Sequence, residues 1–135
     1  MNLLEKLVQA DIEKAYKLNE STYASKRLAE ILGESEPVEV KIKEIPQRRL
    51  TEIKGMMYSK DGKFVYERSF DSNLMAIVEG VKDPDIRSKE LREHFNAPDP
   101  KHLAEVLFGR EVEDLADQII KLSGADESAE EEVKN

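Results

Sequence analysis

Residues 95–108 read FNAPDPKHLAEVLF, and this stretch contains the clearest helix start in the chain. Asp99 is a typical N-cap residue, because its side chain can accept a hydrogen bond from a free backbone N–H of the first turn. Pro100 suits the first helical position, since its fixed φ is already helical. The stretch therefore predicts a break over 96–100 and then a helix. The predicted inner face of that helix is Leu103, Val106, Leu107 and Phe108.

Helical spacing continues on both sides of this stretch. One helix is predicted after it, ending at Gly124, and two are predicted before it, over Phe70–Val81 and Ser88–Phe95. Asp83-Pro84 ends the longer of the two, because the residue before a proline is driven out of the helical region. The predicted core positions of these helices are Leu74, Ile77, Val78, Val81, Val112, Leu115, Ile119 and Leu122.

The first half of the chain mixes strand and helix signals. Residues 38–43, VEVKIK, alternate apolar and charged residues with the period of a half-buried strand. Thr22 and Tyr23 are compatible with another short strand, and Asp61-Gly62 is a hairpin turn signal after which Phe64 and Tyr66 are compatible with a third. Short helices are predicted over Lys26–Leu32, closed by Gly33, and from Ile45-Pro46 onward, with Leu50, Ile53 and Met57 on the inner face.

These patterns together predict an α+β fold. We expect a mostly α-helical small domain over residues 1–124 with a minor β element, followed by a disordered acidic tail over 125–135. The tail holds five carboxylates against one lysine, and so accounts for half of the formal net charge of −8.

The first residues carry an apolar stripe. Their spacing predicts one amphipathic helix that ends near Leu18-Asn19. The favoured interpretation is that the stripe covers the core, and the alternative is that it docks a partner protein. The apolar residues at helical spacing are Leu3, Leu4, Leu7, Val8, Ile12, Ala15 and Tyr16.

Composition excludes several classes of protein. The 135 residues contain no cysteine, which excludes thiol catalysis, cysteine-based zinc sites and a disulfide scaffold, and which is compatible with a reducing compartment. An acidic chain lacks the broad basic face that salt-driven nucleic-acid binding requires. No signal-peptide pattern and no apolar stretch of about 18 residues occur, so we expect no membrane association.

The sequence offers no recognisable catalytic constellation. No phosphate-binding loop, nucleophile elbow, zinc-protease or EF-hand pattern occurs, so we expect no enzyme, no cofactor and no catalytic or metal-ligating residue. His94 and His102 could in principle ligate a metal ion together with Asp83, Asp85 or Asp99. Because the two histidines lie in different segments, we interpret both as surface residues.

One basic cluster is a candidate nucleic-acid surface. Acidic residues interleave with it and aromatic residues do not, so a solvated strand edge and helix face is favoured. The alternative is a non-enzymatic adaptor or regulatory protein that binds nucleic acid weakly. The basic residues are Lys41, Lys43, Arg48, Arg49 and Lys54, and the acidic ones are Glu39, Glu44 and Glu52.

The order of these segments resembles the XkdN-like phage tail assembly chaperones. The similarity extends over nearly the whole chain, and FNAPDPKHLAEVLF is its most specific part, whereas 61–70 fits least well. The similar segments are residues 2–11, 26–33, 38–43, 77–86, 89–91 and 95–108, together with Leu122-Ser-Gly124 and the ending over 132–135.

The resemblance implies a non-enzymatic factor of the host bacterial cytoplasm that is absent from the mature virion. Such chaperones keep the tape measure protein soluble and help tail tube subunits assemble around it. On this basis we place partner contacts on Leu3, Leu4 and Leu7 and on three tail residues, Glu130, Glu131 and Glu132. Self-association is left open.

The resemblance also bears on how the gene is read. Tail chaperones are often made in two lengths by programmed frameshifting, and the codons GTA-AAA-AAC for residues 133–135 would form a slippery run. We therefore hypothesise a frameshift-extended form. The competing interpretation is an ordinary charged C-terminus.

Overall fold

The computed structural model describes residues 1–124, and the bounds below refer to that part of the chain. The helices are α1 (Leu3–Val8), α2 (Ile12–Tyr16), α3 (Lys26–Leu32), α4 (Gln47–Gly55), α5 (Ser69–Gly80), α6 (Lys89–His94), α7 (Pro100–Phe108) and α8 (Val112–Leu122). The strands are β1 (Glu20–Ser25), β2 (Val38–Lys43) and β3 (Val81–Asp83). Two 3₁₀ turns lie at Tyr66–Arg68 and Gly109–Glu111. The mostly helical α+β fold is confirmed. The acidic tail lies outside the described residues.

The sheet is antiparallel, in the order β1-β2-β3. Its central strand shows the predicted alternation, because Val40 and Ile42 are buried while Lys41 is exposed. β2 pairs on both sides, with Tyr23 opposite Val40 and Val81 opposite Ile42, so the prediction that its lysines lie on a strand edge is wrong. The missed partner is β3, which is too short to show a strand period.

Helices α5, α7 and α8 enclose the core against the sheet. Ile77, Leu103, Leu115 and Ile119 have no exposed surface, as the helical spacing predicts. Val106 was predicted to point inward as well, but 39% of it is exposed, since it lies on the outer side of α7. Burial of large aliphatic side chains contributes about 1.5–3 kcal/mol each, so these helices supply a large share of the stability.

Gly80 sets the distance between α5 and α8. A Cβ atom added at this glycine would lie 2.3 Å from Cγ2 of Ile119, well inside van der Waals contact. The glycine therefore allows the ends of the two helices to approach more closely than any other residue would permit.

The start of α7 is capped as the sequence predicts, and the start of α3 has two capping residues that were not predicted. Asp99 Oδ1 accepts a hydrogen bond of 2.8 Å from the backbone N–H of His102 at the start of α7. At α3, Ser25 Oγ accepts from the N–H of Leu28 and donates to Glu111, whose carboxylate also accepts from backbone N–H groups of α3. Gly33 closes α3 at φ 71°, a left-handed conformation that glycine adopts easily.

The predicted hairpin at Asp61-Gly62 is reduced to a turn. Its two sides meet in a single bridge between Tyr58 and Phe64, and the chain then enters the 3₁₀ turn at Tyr66. The prediction of a strand through Phe64 and Tyr66 is therefore wrong. An isolated two-stranded ribbon is marginal in water, and no third strand within residues 1–124 supports this one.

Candidate partner-binding surfaces

Residues 1–18, here called the N-terminal arm, form two short helices instead of the one predicted. Asn2 Oδ1 caps α1 by accepting from the N–H of Glu5 at 2.9 Å, and Asp11 Oδ1 caps α2 by accepting from the N–H of Glu13 at 3.0 Å. Asp11 has extended backbone angles, so the helix ends before it and starts again after it.

The apolar stripe of the arm faces outward. Its large side chains are 62–80% exposed, and neither α1 nor α2 buries a single residue. The favoured expectation, that the stripe covers the core, is therefore wrong: the core is closed by α5, α7, α8 and the sheet without it. The exposed residues are Leu3, Leu4, Leu7, Val8, Ile12 and Tyr16.

Of the six predicted contact residues, three can be placed. Leu3, Leu4 and Leu7 lie together on α1 and are all accessible to a partner. Glu130, Glu131 and Glu132 lie outside the described residues, as does the proposed frameshift point at 133–135. Of the predicted contact residues, those of the arm are therefore the ones that lie on a described surface.

A second apolar surface was not recognised in the sequence. Tyr58, Phe64, Tyr66 and Phe70, here called the aromatic patch, are 43–77% exposed, and the rings of Tyr58 and Phe64 meet edge to face at 5.9 Å. A cavity of about 530 Å³ adjoins three of them. The sequence did contain a signal for this surface, because aromatic residues make up only 6% of the chain and yet four of these residues lie within 58–70.

The two histidines show ordinary surface chemistry. His102 Nδ1 lies 2.8 Å from Asp99 Oδ1, whereas His94 packs its ring edge to face against Phe95. In the part of the chain that the structure describes, no group of three or more His, Asp or Glu side chains could hold a metal ion.

The predicted basic cluster is interrupted by ion pairs. Arg49 is paired with Glu52 at 3.0 Å and with Glu79 at 3.2 Å, which neutralises its charge locally. On the outer face of the sheet Glu20 is paired with Lys82 at 2.6 Å, and this bond lowers the pKa of the Glu20 carboxyl. These pairs leave a mixed surface and not the continuous basic face that phosphate binding requires.

Tyr23 links the sheet to α8. Its hydroxyl donates to Asp114 Oδ2 at 3.0 Å. Burial, followed by this bond and by the neighbouring carboxylates, raises the pKa of the phenol, so it stays protonated and continues to donate.

None of the helices within 1–124 combines the length and the apolar character that a membrane-spanning helix needs.

Comparison with known proteins identifies the family. The model of the phage XkdN-like tail assembly chaperone proteins matches residues 4–135. The chain belongs to this family of phage tail assembly chaperones. The resemblance inferred from the sequence is thereby confirmed. No curated protein shows significant sequence similarity to the chain.

A solved structure supports the fold of this tail assembly chaperone. The crystal structure of the protein YqbN is similar with a TM-score of 0.56 and 19% sequence identity, covering 82% of this chain and 90% of that one. At this identity the likeness concerns the fold alone. For an assembly chaperone the relevant chemistry is the binding of other proteins, and exposed apolar surfaces are the places to look for it.

Proposed function

We propose that this tail assembly chaperone binds the tape measure protein of its phage through the N-terminal arm and keeps it soluble until the tail tube assembles around it. The observation that carries the proposal is the outward-facing stripe of six large apolar residues on the arm. Monomeric proteins rarely expose contiguous apolar surface without a partner for it.

The short helices of the arm favour the same proposal. Helices of fewer than about 12–15 residues are marginal in water on their own, and α1 and α2 have six and five residues. A partner that covers Leu3, Leu4 and Leu7 would supply the packing that the arm lacks. An amphipathic helix recognised through residues spaced by three and four positions is a common mode of peptide binding.

The charge of the chain suits such a role. A formal net charge of −8 keeps a complex with an apolar client dispersed, and the tail residues Glu130, Glu131 and Glu132 would add to this effect or contact the partner directly. We place the chaperone in the host cytoplasm and outside the finished virion, with the tail tube protein as a second partner. We keep the frameshift-extended form and self-association as further parts of the proposal.

The test is co-expression with the tape measure protein. We expect the wild-type chain to move the tape measure protein into the soluble fraction and to co-purify with it, and we expect the double variant Leu4→Ser/Leu7→Ser to lose both effects. Because both leucines are more than 60% exposed, the thermal midpoint of the variant should match that of the wild type.

Val106→Ser is the matched control, because it removes an exposed aliphatic side chain outside the arm. It should solubilise the tape measure protein as well as the wild type does. An insoluble tape measure protein in the presence of the wild-type chain refutes the proposal. A double variant that unfolds would instead mean that the stripe belongs to the core.

A further inference from the structure

An apolar groove lies between α3, α6 and the end of the sheet, and none of its lining residues belongs to the arm or to the aromatic patch. Its volume is about 280 Å³. Helix α3, strand β2 and helix α6 all contribute to the lining, and Leu32 is 60% exposed at its edge. The main apolar lining residues are Leu28, Ile31, Leu32, Val38, Leu91 and Phe95.

The groove continues into a more polar cavity of about 370 Å³ beside α6. The two share Asp83, Pro84 and Leu91, so they form one surface with an apolar end and a polar end. We call the whole surface the acid-lined groove.

All four residues in its lining that are charged at neutral pH are acidic. Glu39 and Asp83 line the apolar end, and Asp85 and Glu90 line the polar end together with His94; no lysine or arginine within residues 1–124 lines either cavity. None of the four carboxylates forms an ion pair with a residue in the described part of the chain.

Basic residues that neighbour the groove residues in the chain or in the sheet, Lys89 with its partner Glu93 included, form no ion pair with the four carboxylates. Arg87 binds Glu79 at 3.0 Å, and Lys82 binds Glu20 on the outer face of the sheet. Lys41 is the strand partner of Asp83 but makes no ion pair with it. The groove therefore presents four carboxylates without an ion-pair partner among the described residues next to an apolar surface, and its complement is a ligand that is apolar at one end and positively charged at the other.

Two occupants from this chain itself fit poorly. The arm of a second copy has the right apolar stripe, but it carries three lysines against three carboxylates over 1–18 and is formally neutral. Residues 125–135 hold five carboxylates and one lysine, so the groove repels them.

We propose that the acid-lined groove binds an amphipathic helix of a partner protein, with leucine-like side chains in the apolar end and a following cluster of Lys or Arg at Asp85 and Glu90. Helical anchors in an apolar groove with charges at the rim are an established recognition geometry. Only the identity of that partner, the tape measure protein, rests on the function proposed above.

The first experiment uses a defined probe and is independent of that function. A fluorescent peptide of about 16 residues carries leucines at helical spacing and lysines at its C-terminal end, and its twin carries glutamates there. Fluorescence anisotropy should show the lysine peptide binding at least about tenfold more tightly at low salt, and the preference should shrink as salt screens the charges.

Exposed groove residues provide the variants. Glu39→Lys/Glu90→Lys should reverse the preference between the peptides, and Leu32→Asp should abolish binding of both. Glu67→Lys/Glu105→Lys makes the same change in net charge at exposed positions outside the groove and should leave the preference intact. Equal binding of the two peptides, or a preference that the groove variants leave unchanged, overturns the inference.

A second copy as occupant would be visible in solution. If light scattering shows a wild-type dimer that Leu32→Asp converts to a monomer, the groove is a self-association surface and the inference is wrong. In co-expression, a Leu32→Asp chain that still solubilises the tape measure protein would refute the groove as the binding site while leaving the function of the arm standing.

Discussion

The N-terminal arm and the α5–α8 pair are built from the same kinds of residue at the same helical spacing, yet their burial is opposite. Leu115 and Ile119 of α8 have no exposed surface, whereas Leu4 and Ile12 of the arm are more than 70% exposed. An apolar stripe thus indicates which face of a helix tends to be buried, but it does not indicate which element or partner buries that face.

The difference comes from the partner element. Helix α8 packs on α5, and Gly80 lets the two approach until Ile119 would meet any added Cβ. The arm has no such counterpart, because its stripe is not buried by any described element. The stability of the chain should accordingly be concentrated in the α5–α8 pair, and the arm should be available for binding.

The largest expected effect comes from one substitution made in both regions. Ile119→Ala removes a fully buried side chain and should lower the free energy of unfolding by about 3 kcal/mol, whereas Ile12→Ala in the arm should change it by less than about 0.5 kcal/mol. Urea denaturation of the two variants measures both values. Equal losses would erase the distinction between arm and core.

A smaller effect is expected from filling the close approach of the two helices. Gly80→Ala should cost about 2 kcal/mol by overpacking against Ile119. The double variant Gly80→Ala/Ile119→Ala should lose clearly less than the sum of the single losses, because the new methyl group enters the space that the isoleucine leaves. Strict additivity in a double-mutant cycle would show that the two positions do not touch.

The smallest expected effect comes from removing the aspartate N-cap of a core helix, compared with removing the aspartate N-cap of a helix in the arm. Asp99→Ala should lower the thermal midpoint because α7 belongs to the core, while Asp11→Ala, which removes the cap of α2, should leave it unchanged. A lower midpoint in the Asp11 variant would mean that the arm unfolds together with the core.

The pH dependence of stability tests the Asp99 cap of α7 in a second way. The backbone N–H of His102 and then its ring hold the pKa of Asp99 below its usual value of 3.8. A lowered carboxyl pKa adds stability above the ordinary pKa and loses it as the pH falls through 3.8 and below. The Asp99→Asn variant should therefore lose less stability on acidification than the wild type loses. Thermal melts between about pH 6 and pH 3 measure this difference.

The local part of the fold was predictable because its signals lie within a few residues of each other. The Asp99-Pro100 helix start, the Gly33 helix end and the alternation of β2 each follow from short-range chemistry. The features that failed depend on distant parts of the chain. β3 has only three residues and exists because β2 offers it a free side, and the strand after Phe64 fails for lack of a third strand.

The candidate site was predictable only in part for the same reason. Leu3, Leu4 and Leu7 were selected as contact residues from the resemblance, although spacing favoured a core role for their stripe. The acid-lined groove could not be predicted from the sequence, because Glu39, Asp83 and Glu90 come together only when α6 folds beside β2 and β3.

Hydrogen–deuterium exchange of the free chain and of its complex with the tape measure protein tests the central claim most directly. In the free chain we expect the amides of the arm to exchange at nearly the rate of an unstructured peptide and those of α5 and α8 to be strongly protected. In the complex the arm should become protected while α5 and α8 stay as they were. Arm amides that are already as protected as those of α8 in the free chain, or that gain no protection in the complex, would contradict the account.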